Sequence, residues 1–157
     1  MAQEINARVE ISPDLKRLID QNEEIAPKII KSGMKLITRK APVKVRAKIR
    51  SLGLVRTGKL VKTIRGKTGK EKSIIGSTFF KGHILEGGAK PHLIKPRKGN
   101  KKGLWIPGYP RPVKRVHHPG VRAYKFLEST IDDMQNSGEI QSLFSQGVEA
   151  ALQELSQ

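Results

Sequence analysis

The chain has 157 residues, 36% of them hydrophobic and seven of them aromatic, which suffices for one modest, mostly aliphatic core and not for two. It has no cysteine, which excludes a disulfide framework, a thiolate metal site and a catalytic thiol, and suits a reducing cytoplasm. The net charge of +17 is divided unevenly: about −3 over residues 1–24, +26 over 25–125, where 28 Lys and Arg meet two acids, and −6 over 126–157, which has no base.

Charge concentrated in this way is tolerated most readily against phosphates or acidic partner surfaces. No apolar run approaches the ~20 residues needed to cross a bilayer. The N-terminal MAQEINARVEI lacks the basic and apolar segments of a signal peptide, so neither secretion by that route nor a membrane partner is expected.

The first element begins at Ser12-Pro13, a capping residue followed by proline at the first helical position. From there Leu15, Leu18, Ile19, Ile25, Ile29, Ile30, Met34 and Ile37 recur at spacings of three and four. They predict one long helix over 13–39, bent before Pro27 and ended by Ala41-Pro42.

Two short β-rich runs follow, Leu60 to Ile64 and Ser73 to Gly76, joined by an exposed basic turn containing Gly66 and Gly69. Residues 79–85 fit either a helical turn or a strand, and 92–95, 104–107 and 113–116 are further strand candidates among many Pro and Gly. A short helix over 124–135, a break at Ser137-Gly138 and a clean stripe from Ile140 to Leu155 complete the chain.

The fold class is therefore α+β: a small, mostly antiparallel sheet packed with a long N-terminal helix and C-terminal helices. Without a repeat or a low-complexity linker, residues 1–157 read as a single domain. Its parts are the helix at 13–39, basic sheet and loops at 57–122, and C-terminal helices at 123–155.

Apparent catalytic motifs do not hold together. Residues 53–59 read GLVRTGK, the spacing of a phosphate-binding loop, but Leu60 stands where Ser or Thr must hold magnesium. The preceding residues 44–50 are basic rather than an apolar strand, so the segment reads as a basic glycine turn.

His83, Glu86, His92, His117 and His118 supply donors for zinc, yet no pair has the spacing of a closed site, and no metal or other cofactor is expected. A metal-dependent nuclease needs converging carboxylates, and the basic centre has Glu71 and Glu86 alone. No nucleophile-elbow pattern is present, so no catalytic residue is assigned.

The basic runs have a direct use. Arg65, Lys67, Lys70 and Lys72 in one turn, and Lys95, Arg97, Lys98, Lys101 and Lys102 in a second, reach phosphates without fixing a base-edge geometry. Phe79, Phe80 and Trp105 are too few to read as a set of stacking aromatics on the predicted sheet.

A series of short motifs runs in order: Ala41-Pro42-Val43, Thr57-Gly58-Lys59-Leu60 with Thr63-Ile64, Leu85-Glu86-Gly87-Gly88, Pro91-His92-Leu93-Ile94-Lys95-Pro96, Leu104-Trp105, and His118-Pro119-Gly120-Val121-Arg122-Ala123 with Phe126-Leu127. This order resembles the tail-completion, or neck, family of long-tailed bacteriophages, whose members join the DNA-filled head to the tail. The resemblance covers residues 41–131; residues 44–55 depart from it, reading as an inserted basic loop.

What the resemblance implies is a structural virion protein at the head-to-tail junction, assembled in the host cytoplasm into a ring of about six or twelve copies. One face would meet a head-closure or portal-side ring and the other a tail-tube or terminator protein, with DNA passing through the channel. The basic residues above would contact that DNA or an acidic neighbouring ring. Pro42, Gly58, Leu60, Glu86, Gly87, His92, His118, Pro119, Gly120 and Phe126 would be structural, in turns and core anchors. Two rivals are a sequence-independent nucleic-acid-binding protein and a small nuclease.

Overall fold

The computed structural model describes residues 7, 9–21, 24–69, 72–97 and 103–155. Helix α1 (Pro13–Gln21) precedes the spine of the molecule, α2 (Ala26–Ser51). A short helix α3 (Lys59–Thr63) leads into a hairpin of β1 (Ile64–Thr68) and β2 (Ser73–Ser77), followed by α4 (Gly82–Gly87). A second ribbon, β3 (His92–Ile94) with β4 (Val116–His118), precedes α5 (Phe126–Asn136) and α6 (Glu139–Leu155). The α+β class stands, with both sheets antiparallel and two-stranded. Among the described residues no helix is long and apolar enough to cross a membrane.

Helix α2 supplies residues to three buried clusters along its length. Ile29 packs with Phe144, Val148 and Ala151, and Ala41 with Ile131, Met134, Ile140 and Leu143. Val45 and Ile49 pack with Leu60, Val61, Ile64 and Phe126. Where α2 crosses α6, Gly33 and Gly147 meet so closely that a Cβ on Gly147 would lie 2.7 Å from the Gly33 Cα.

The predicted single helix over 13–39 starts at Pro13 as expected but is corrected in its middle and at its C-terminal end. It is divided between α1 and α2, because Pro27, whose φ is pre-set for a first turn, opens a new helix in which Lys28 and Ile29 N–H donate to Ile25 O. At the C-terminal end, Ala41-Pro42 does not stop α2, which runs on to Ser51 with Pro42 buried in its interior.

Proline there costs about 3 kcal/mol. Fully burying Val45 and Ile49, both 0% exposed, contributes roughly 1.5–3 kcal/mol each and outweighs it. The Thr38 carbonyl, deprived of its helical donor by Pro42, faces Gly66 of β1 so closely that a Cβ there would sit 2.2 Å from it. Beside it the Thr38 hydroxyl lies 3.0 Å from Lys35 O and 2.7 Å from Thr68 Oγ1, tying helix to strand.

Residues 44–55 are consequently no inserted loop. They form the last turns of α2 and a glycine-closed C-terminus, where Gly53 at φ +68 lets Gly53 N–H donate to Arg50 O and Leu54 N–H to Ile49 O. The predicted strand over 60–64 is also corrected: Leu60 and Val61 are adjacent and both buried, which a strand with one solvated face does not allow and a helical turn permits. The strand begins only at Ile64.

The hairpin pairs Ile64 with Ser77, Gly66 with Ile75 and Thr68 with Ser73, and Gly69 N–H donates to Lys72 O across the turn. The ambiguous residues 79–85 resolve as the helical alternative, with 82–85 forming the start of α4. Residues 104–107 and 113–116, predicted as strands, reduce to a Leu104–Val113 bridge and to β4 starting at Val116. Pro107, Pro110 and Pro112 have no N–H to donate to a longer ladder.

Candidate functional site

The C-terminal half of the motif series folds into one clasp. Helix α5 is preceded at its cap position by Lys125, at φ +47, whose side chain has no acceptor for the first helical amides. Glu86 supplies the acceptor from α4, far away in sequence. Its Oε2 accepts from Leu127 N–H at 2.9 Å and its Oε1 from Glu128 N–H at 2.8 Å. These are the amides that a capping side chain normally takes, and a carboxylate there also opposes the positive end of the helix dipole.

Glu86 is 8% exposed, and its backbone joins in: Tyr124 N–H donates to Leu85 O and Lys125 N–H to Glu86 O. Directly behind, Ala89 and Val121 exchange two backbone hydrogen bonds of 2.8 Å. Glycine is required on both sides of that exchange. Gly88 at φ +75 would place a Cβ 2.8 Å from Val121 O, and Gly120 at φ +91 would place one 2.4 Å from Ala89 O.

His92 and His118 face each other across β3 and β4 with rings stacked at 5.0 Å. Gly120 N–H donates to His118 Nδ1 at 3.0 Å, so the ring holds the turn through exposed Pro119. Phe126, 0% exposed, anchors the clasp in the core beside Leu60. Pro42 and Gly58 lie elsewhere, the first inside α2 and the second at φ +70 before α3. Gly87 is the last residue of α4, so the positive-φ turn belongs to Gly88 alone.

The predicted basic contacts fall on two different sheets. Arg65 and Lys67 project from the outer face of β1, opposite Gly76 and exposed Ile74, and Lys72 is exposed at the end of the hairpin turn. This group is largely strand, not loop. Lys95 and Arg97 are exposed just past β3; Lys70, Lys98, Lys101 and Lys102 lie outside the described residues.

Some of the charge asymmetry is resolved within the chain, which the composition does not reveal. Lys44 of α2 pairs with Glu139, Lys48 with Asp133 at 3.5 Å, and Lys125 with Glu128 at 3.0 Å, so half of the tail's six acids face cations of the same chain. Being largely solvent-exposed, such pairs contribute about 0–1 kcal/mol each. Arg46 is also spoken for, donating to Ile64 O at 2.6 Å.

The zinc and nuclease readings meet the same geometry. Both oxygens of Glu86 face backbone amides, and exposed His83 sits edge-on to Phe80 with ring centroids 5.4 Å apart. Among the described residues no three His, Asp or Glu side chains gather as a metal site would require.

No protein-family profile, curated protein or solved structure matches the chain.

Proposed function

We propose that this chain is a structural protein of the phage neck, forming a ring that joins the DNA-filled head to the tail and lets DNA pass. The observation that carries the reading is the clasp. The pieces from Leu85 to Gly88 and from His118 to Leu127, which resemble the neck family by their order, are joined by backbone and Glu86 hydrogen bonds into one unit. That is how structural motifs behave. A catalytic reading would want the same polar groups turned toward a substrate.

A ring also gives the charge a use. Repeated about an axis, the outer cations of β1 and of the β3–β4 ribbon become a positive belt facing DNA or an acidic neighbouring ring. Light scattering on the purified chain, alone and with a portal-side ring protein at low and high salt, is expected to give a closed oligomer. Image classes of particles are expected to place it in a symmetric collar at the portal vertex. A monomer under all those conditions, or a position away from that vertex, would overturn the proposal.

A further inference from the structure

We propose that the arm formed by residues 89–97 and 103–121 binds single-stranded nucleic acid, with Trp105 and Tyr109 stacking on bases and the flanking cations on phosphates. The inference does not depend on the neck reading, since a ring can join head to tail without it.

The arm behaves unlike the rest of the chain. All three residues of β3 are exposed, including Leu93 and Ile94, so this strand presents itself to solvent instead of covering the core, while Val116 and His118 of β4 are half-buried. Its described residues hold Lys90, Lys95, Arg97, Arg111, Lys114 and Arg115, all exposed, and no acid. Among the described residues none of the six pairs with a carboxylate.

Phe126 and Phe144 are buried in the core, whereas both aromatics of the arm other than histidine are exposed, Trp105 at 72% and Tyr109 at 56%; outside the arm Phe80 is as exposed, but it stands edge-on to His83. Large rings left in water on a segment that also carries unpaired cations are the combination that single-strand binders use.

The tip is also held in place. Tyr109 N–H donates to Ile106 O at 3.1 Å across Pro107 and Gly108, with Gly108 at φ +89, a type II turn in which proline and glycine each take their favoured position. Behind it Leu104 and Val113 exchange hydrogen bonds of 2.8 and 3.0 Å. Trp105 and Tyr109 thus flank a turn already ordered before binding, which lowers the entropy lost on association.

Charge selects the partner. A second copy of the chain brings a further +17, and of the six acids in the tail that would attract the arm, Asp133, Glu139 and Glu128 are already engaged internally. Duplex DNA offers phosphates but keeps its bases stacked away from Trp105. An unpaired strand offers both.

Trp105 is the only tryptophan, so its fluorescence reports on the arm directly. The full chain would be titrated with oligothymidylate, a duplex of equal length, polyglutamate, and vesicles of mixed phosphatidylcholine and phosphatidylglycerol. Quenching by oligothymidylate is expected. Anisotropy of a labelled oligonucleotide should show binding weakened roughly tenfold or more in Trp105→Ala and in Tyr109→Ala, and largely restored in Trp105→Phe. Lys114→Gln, which removes one phosphate-facing cation, should lower the slope of log affinity against log salt by about one.

Circular dichroism checks that the exposed-site variants remain folded, and light scattering on Trp105→Ala separates loss of binding from loss of assembly. Equal binding of polyglutamate, duplex binding without quenching, or indifference to Trp105→Ala would reduce the arm to a non-specific cation patch and overturn the proposal. A blue shift on vesicles without quenching by oligothymidylate would overturn it in favour of a membrane surface.

Discussion

In the helical body, α2 reaches into all three buried clusters and even its proline is packed, whereas in the β3–β4 arm the first strand is exposed on both faces. The body holds its shape by removing apolar surface from water. The arm holds its shape by local turns, its own ladder and the clasp at its base. A region that needs no burial to stay ordered is free to offer aromatic and charged side chains outward, and this is where recognition is to be sought.

The largest test of that contrast lies at the clasp, where the two regions join. Glu86→Ala leaves Leu127 and Glu128 N–H without their acceptor at a buried helix start, and is expected to cost about 2–4 kcal/mol in urea unfolding. Glu86→Gln, with a single acceptor oxygen, should fall between that variant and the parent. Hydrogen exchange at Ala89 and Val121 should quicken in step, since their mutual bonds sit directly behind the cap. A loss below about 0.5 kcal/mol, the range of ordinary surface changes, would show that the clasp is not what binds arm to body.

How far these features can be read from sequence follows from how far apart their causes lie. The stripe from Ile140 to Leu155 and the break at Ser137-Gly138 depend on neighbours within a few residues, and they match α6 and the turn before it. The Ser73 to Gly76 strand is legible for the same reason, whereas most of what reads as the basic turn before it, Arg65 to Thr68, is its partner strand.

Pro42 misleads because local chemistry says stop, while burial of Val45 and Ile49 and the approach of Gly66, all set by tertiary packing, carry the helix onward. Leu60 to Ile64 mislead because a β-rich composition cannot reveal that two adjacent residues are both buried. For Glu86 the signal is only that an acid stands amid cations, and its partner amides are far along the chain. Lys44 and Lys48 hint at their partners through the acidic tail, but only the α2 and α5–α6 geometry selects Glu139 and Asp133.

A middle-sized effect tests the body from its other sheet. Gly66→Ala puts a methyl group 2.2 Å from the Thr38 carbonyl, and the backbone on both sides must move, at about 1–3 kcal/mol. Gly76→Ala is the internal control, because it lies on the outer face of the same hairpin with nothing within 4 Å. The first variant should unfold at clearly lower urea and the second close to the parent. If both behave alike, the hairpin does not press on α2 and the exposed position of Arg65 and Lys67 is no longer fixed.

The smallest expected effect carries the sharpest contrast. Trp105→Ala removes the largest side chain in the protein, yet at 72% exposure it gives up little buried surface, so stability should stay within about 0.5 kcal/mol of the parent. Amides of Leu104 and Val113, bonded only to each other, should exchange by local opening far sooner than those of Val45 and Ile49 in the spine. Should Trp105→Ala prove as damaging as Glu86→Ala, the tryptophan must pack on the body in solution. The arm would then belong to the core, and an exposed ring could no longer be assigned to recognition.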